Sequence, residues 1–420
     1  MKRKLLPTML FLLVFVFIAA LPATAEEIKL NLNGQPVTFA DIYMENGVTM
    51  ISLNSFAQVS GVNLTSSGSN ALSLTKNNTT LILTLGKKDA VLNGKTIQLP
   101  APPVKSGDET FVSLRSLADI FGYEVKWNKE KATVELAINE TKDGMTLQDL
   151  LVKASQAAQN INTYALNGNY IMNITIINDD EQQMSINGLT TTMTGQIQQK
   201  PLQAYLIQRV EFPEFLGLED SQLVTETYMT EDKMYIKSQD GSWTVQEMPL
   251  PAEFWQQQQN LQSNPLEITT QMTELGGTLS FSDNTTIDGK DYYVVNATYD
   301  MDDLRSVYSQ VFQQVMSSMP YQTEDYEKIK QVIEKFLENA KMNYLYKSFI
   351  NKETFLSEKG QLDMKLDFTI DLSEIAQEEL SSEIPQKLQM KIDLQGQFNI
   401  IDAGKPFTAP DVKDAVPLSN

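Results

Sequence analysis

The chain has 420 residues, with 33 basic and 53 acidic side chains, a net charge of −20, and neither histidine nor cysteine. Without histidine there is no Ser-His-Asp or Cys-His catalytic arrangement and no imidazole ligand for zinc or copper; without cysteine there is no disulfide and no lipid-modified thiol. The acidic balance argues against nucleic acid and against electrostatic docking on anionic lipid, and the length suits two or three domains.

Lys2, Arg3 and Lys4 precede an apolar run from Leu10 to Leu21 and the small-residue site Ala23-Thr24-Ala25. This order predicts a secretory signal peptide over 1–25, cleaved before Glu26, and the run is short for a membrane span. The expected location is therefore extracellular or at the cell envelope, without a lipid anchor.

A repeated unit comes next. Leu32-Asn33-Gly34 matches Leu92-Asn93-Gly94, and "MISLNSFAQVSGVNLTSSGSNALSLT" from Met50 matches "FVSLRSLADIFGYEVKWNKEKATVEL" from Phe111. Ser52, Leu53, Ser55, Ala57 and Gly61 fall on Ser113, Leu114, Ser116, Ala118 and Gly122. Each copy predicts strand, Asn-Gly turn, strand, helix, glycine stop and strand, because Asn and Gly both tolerate positive φ in a tight hairpin. Leu114, Leu117, Ala118 and Phe121 have helical spacing, and Gly122 is placed to end the helix in the left-handed region. Trp127 is expected in the core rather than as a stacking platform for sugar. Arg115 is expected to pair with a carboxylate rather than to bind a ligand. The polar stretch "NETKDG", 139–144, is read as a linker.

Beyond it, Leu147, Leu150, Leu151, Ala154, Ala158 and Ile161 predict an amphipathic helix. Strict alternation follows in Leu166, Tyr170, Met172, Ile174 and Ile176, and returns in Leu362 to Leu372 and in Leu388 to Ile400. Period-two runs of this kind predict antiparallel strands with one buried and one solvated face, each on the order of 40 Å long. "MYIKSQDGSWTVQEM", from Met234, predicts a hairpin closed by Asp240-Gly241. Two apolar stripes, Leu304 to Met319 and Tyr326 to Ala340, predict helices to cover the sheet. The acidic groups Asp300, Asp302, Asp303 and Asp179, Asp180, Glu181 lack the spacing of an EF-hand loop and are read as turns and helix caps. No metal site and no cofactor is expected.

The Asn-Gly hairpin followed by Val112-Ser113-Leu114-Arg115, Gly122 and Val125-Lys126-Trp127 resembles the copper amine oxidase N-terminal-like domain of secreted bacterial proteins, over about 28–138. Ser113 stands where that family usually has proline. The resemblance implies a small accessory α+β domain without oxidase chemistry. The order of elements over about 145–416, with "MYIK", "GSWT", "GQFNI" and "FTAPDV", resembles the LolA/LppX-like lipoprotein fold of uncharacterised bacterial type. That likeness implies a curved sheet wrapped on helices around an apolar cavity.

The expected class is α+β: a signal peptide at 1–25, a repeat-built domain at 26–138, a linker at 139–144, and at 145–420 an open half-barrel of antiparallel strands packed on helices. The expected function is a non-catalytic secreted binding protein that holds an apolar or amphipathic small molecule or lipid, with an envelope partner for the N-terminal domain. Tyr170, Met172, Ile174, Met364, Leu366, Phe368, Met390 and Ile392 are the expected cavity lining. Two alternatives stand: an adhesion or scaffold protein with filled cores, and a hydrolase using carboxylates alone. An apolar cavity above about 300 Å³ would mark the carrier. Two close carboxyl groups in a cleft, one with a raised pKa, would mark the hydrolase.

Overall fold

The structure, a computed structural model, describes residues 28–37, 40–66, 70–129, 131–178, 180–213, 222–238, 240–247, 277–298, 340–371 and 387–417. The signal segment, the acidic group 300–303 and, apart from Ala340, both expected covering helices lie outside the described residues. What is described is mainly β, with three helices, so the expected α+β class holds only loosely.

The repeat builds one core from two half-cores. Helix α1 (Leu53–Ser60) starts at Ser52, whose side chain accepts from Ser55 N at 3.0 Å, and ends at Gly61 with φ 68°. Helix α2 (Leu114–Phe121) repeats this with Ser113 as cap and Gly122 at φ 78°. The strands before the helices, Val48–Ser52 and Glu109–Ser113, pair antiparallel as Met50 with Ser113, Ile51 with Val112 and Ser52 with Phe111. Positions equivalent in the repeat thus exchange across the pair, giving the domain a pseudo-twofold axis. Leu53, Phe56 and Val59 of α1 and Leu114, Leu117 and Ala118 of α2 then share one core with Leu74 and Leu81, none more than 1% exposed. Neither copy alone could bury its helix face, which explains why the unit is doubled.

Two expectations in this domain are corrected. Trp127 lies on the edge strand Glu124–Asn128 and is 40% exposed, because only the inner part of that strand reaches the core. Arg115 is exposed and, among the described residues, makes no ion pair.

The segment 139–144 is a polar joint between the two parts. Thr141–Lys142 pairs with Met145–Thr146 in a short hairpin. Lys76, 2% exposed, donates to Ser60 O at 2.5 Å and to Phe281 O at 2.9 Å, and lies 2.5 Å from Glu140. Burial pulls its ammonium below the ordinary pKa, and Glu140 opposes that shift. Asp143 accepts from Tyr293 and from Lys352, each at 2.8 Å.

Twelve strands between Thr163 and Pro417 form one open, curved sheet. Its strands are β1 (Thr163–Asn178), β2 (Gln183–Gln198), β3 (Gln203–Glu211), β4 (Gln222–Thr230), β5 (Lys233–Lys237), β6 (Trp243–Glu247), β7 (Thr278–Ile287), β8 (Lys290–Thr298), β9 (Lys341–Asn351), β10 (Ser357–Asp371), β11 (Lys387–Ile401) and β12 (Val416–Pro417). The order is β7-β8-β9-β10-β11-β1-β2-β3-β4-β5-β6-β12, antiparallel except for the β6–β12 pair. Chain order is therefore broken twice, at the centre where β1 pairs with β11 and at one edge where β12 pairs with β6. The expected long alternating strands are β1, β10 and β11, of 16, 15 and 15 residues.

Helix α3 (Leu147–Gln159) is held at its start by a reciprocal pair: Thr146 accepts from Asp149 N at 3.2 Å, and the Asp149 carboxylate accepts from Thr146 N at 3.0 Å. Its Leu150 packs on Phe281, Tyr293, Val295 and Ile350 at the β7–β9 end of the sheet. Helix α1 meets the same end from the other side: Ser280 Oγ donates to Gln58 O, and the Gln58 amide donates to Asn343.

Candidate functional site

Residues directly opposite each other in a sheet share a face. Leu366 of β10 opposes Ile392 of β11, which opposes Ile174 of β1, which opposes Ile186 of β2. The next row runs Met364, Leu394, Met172 and Leu189, and the row on the other side runs Phe368, Met390, Ile176 and Met184. Tyr170 opposes Gly396, which opposes Leu362. All eight expected lining residues thus stand on one face of the four central strands. Alternate residues of β9, Met342, Tyr344 and Tyr346, extend the same rows. Alternation along single strands pointed to the face and already included Ile176 and Leu394; Met184 and Tyr346 join the patch only because the register sets them beside the eight.

This face grades from closed to open. Leu366 and Phe368 are 2% and 1% exposed, Met390, Ile392, Ile174 and Ile176 are half-buried, and Met184 is 53% exposed. In the two-copy domain the centre of the core is shut, and partly buried residues such as Ile42, Leu64 and Ile97 pack around it.

Glycine shapes the floor of the patch. Gly168, Gly360 and Gly396 lie on this same face, and a Cβ on any of them would run into the ring of Tyr170 or Phe398. The rings therefore lie flat across backbone, and Phe398 stacks on Tyr346 at 5.8 Å. Burial in this apolar setting raises the Tyr170 hydroxyl above its ordinary pKa. Helix α3 covers the β7–β9 end of this face, since Phe281 and Val295 belong to the row of Ser348, Gly360 and Phe398.

The opposite face is polar and has an open cavity of about 360 Å³ over β9, β10, β11 and β1. Its lining includes Lys347, Gln361, Asp363 and Gln397, so it is not the apolar cavity expected of a carrier. Burial, then the charge of Asp393, raise the Asp363 carboxyl above its ordinary value. That is the electrostatic half of the hydrolase criterion, but only Asp363 of the two carboxylates lines the cavity. Asp41 is raised in the same way by burial and Glu109 at the domain joint, so the shift alone marks no site. Among the described residues no group of three or more acidic side chains is placed to hold a metal ion, and no helix is long and apolar enough to cross a membrane.

Residues 31–136 match the copper amine oxidase N-terminal domain, and residues 146–414 match a family of unknown function, DUF6612. Among solved structures, the lipoprotein LppX of Mycobacterium tuberculosis is similar at 9% identity over 63% of this chain and 99% of that one, with a TM-score of 0.26. LprF of Mycobacterium bovis is similar at 12% identity, over 63% and 96%, with a TM-score of 0.26. A putative outer membrane lipoprotein-sorting protein domain of Vibrio parahaemolyticus is similar at 9%, over 63% and 97%, at 0.20. No curated protein matches the chain.

Proposed function

The chain belongs to the family of unknown function DUF6612 through residues 146–414, and we propose that it is a non-catalytic binding protein that carries a lipid-like molecule on the apolar face of its large sheet. The observation that supports this is the gradient of exposure. Met, Ile and Leu side chains in register across β10, β11, β1 and β2 are half-buried, while the core-facing Leu53, Leu114 and Leu117 of the N-terminal helices are at most 1% exposed. Apolar burial would drive the ligand's binding, and each methylene removed from water contributes about 0.8 kcal/mol. Methionine at Met172, Met364 and Met390 suits acyl chains of differing shape, because its flexible thioether repacks at low cost. The acidic chain and its signal-like N-terminus agree with an extracellular or envelope location, with the N-terminal domain as an accessory module facing an envelope partner.

Native mass spectrometry of residues 26–420, purified from secretion, tests this. The expected result is a bound lipid or uptake of added oleate, abolished in Met390→Asp and Ile174→Asp with the fold intact by circular dichroism. A ligand-free mass that takes up neither oleate nor phospholipid would refute the carrier reading and favour a scaffold with surface contacts only.

A further inference from the structure

The polar face carries two cross-strand rows that have chemistry and no use in the reading above. Lys347, Gln361, Gln397 and Asn169 oppose one another across β9, β10, β11 and β1, and so do Leu345, Asp363, Gln395 and Ile171. Together these eight make up most of the lining of the 360 Å³ cavity.

Neighbouring parts of this face satisfy themselves. On one side Lys359 donates to Asn399 at 3.1 Å, and Asn399 to Asn167 at 2.9 Å. On the other, Gln389 donates to Asp367 at 2.8 Å, and Lys391 pairs with the same carboxylate. Between them the amides of Asn169, Gln361, Gln395 and Gln397 have no hydrogen-bond partner among the described residues. All four are exposed and line the cavity, so their donors and acceptors are open to an occupant.

The lining selects the occupant's chemistry. Its one cation, Lys347, and its one anion, Asp363, cancel, so neither an anionic nor a cationic ligand is favoured. Four amides supply donors and acceptors in equal measure, the complement of groups that both donate and accept. Hydroxyls do that. Ile171, 47% exposed, adds an aliphatic platform for the C–H face of a ring. We propose that this cavity binds a neutral, hydroxyl-rich ligand, a saccharide, on the face opposite the apolar patch and beside the docked N-terminal domain.

Isothermal titration of the full secreted chain against maltotetraose, xylotetraose and tetra-N-acetylchitotetraose tests it, with spermine as the cationic comparison. At least one saccharide should bind with a Kd of about 1 mM or tighter. Gln361→Leu/Gln397→Leu should weaken it about tenfold, as expected for loss of two neutral hydrogen bonds, while Met390→Asp on the apolar face should leave it unchanged. If the double variant does not fold, Asn169→Ala/Gln395→Ala carries the same comparison. The proposal is overturned if no saccharide binds, if the amide variants bind as the parent does, or if spermine alone binds. Failure of lipid uptake would not touch it, since the two faces are tested by different ligands and different variants.

Discussion

Gly61 and Gly122 are equivalent in the repeat, yet alanine at the two should have different costs. Both end a helix in the left-handed region, at φ 68° and 78°, and both donate their N–H to the carbonyl four residues back, Ala57 and Ala118. An alanine there carries about 1–2 kcal/mol of backbone strain at either site. Around Gly122 nothing lies within 4 Å of where a Cβ would be, so strain is the whole cost. At Gly61 the added carbon would overlap the carbonyl of Phe281 in β7 and lie 3.1 Å from Ser280 Oγ. That carbonyl also accepts from the buried Lys76 ammonium at 2.9 Å, so it cannot retreat without loosening the joint. Overpacking against backbone adds about 1–3 kcal/mol. Gly122→Ala should therefore lose about 1–2 kcal/mol and Gly61→Ala about 2–5 kcal/mol. Urea denaturation at equal m reads the difference, and limited proteolysis should nick Gly61→Ala, but not Gly122→Ala, at 139–144. Equal losses within about 0.5 kcal/mol, with equal protease resistance, would show that the copy-one helix end does not set the domain contact.

Lys76→Met should cost about 3 kcal/mol, because it strands two carbonyls and removes one of the two cations at Glu140; a loss below about 1 kcal/mol in the same denaturation would contradict the buried joint. Thr146→Ala should remove about 1 kcal/mol through loss of the α3 cap, read as a lowered Tm, while Thr146→Ser should keep most of it. The raised pKa of Asp363 has a definite sign. Its protonated form favours the fold, so its contribution is complete below the unfolded value of 3.8 and is lost as pH rises through the folded value. Asp363→Asn should thus raise Tm at neutral pH, with the gain shrinking towards zero below pH 3.8; a gain that persists in acid would assign the effect to something other than charge. Gly396→Ala should displace the Tyr170 ring, which lies within reach of the added Cβ, and reduce lipid uptake measured by native mass spectrometry.

Much of this was legible in the chain itself. Missing histidine and cysteine bounded the chemistry. Asn33-Gly34 and Asn93-Gly94 fixed turns, because a two-residue hairpin needs positive φ at both positions and they have it. Alternation in β1, β10 and β11 revealed which residues share a face, because side-chain direction in a strand is a local property with period two. Local rules stop there. That β1 pairs with β11, more than two hundred residues away, is a choice among distant partners that no periodicity encodes, and it decides which side chains become neighbours. The polar cavity was invisible for the same reason: Gln361, Gln397 and Asn169 look like solvent-side residues of separate strands until the register aligns them. The 139–144 stretch reads as a polar linker, yet Glu140 and Asp143 pin the two parts together, because charges far apart in sequence meet there. Composition and period determined the strands and their faces; only the tertiary pairing, where a long-range register brings distant groups within hydrogen-bond reach, decided what those faces present to a ligand.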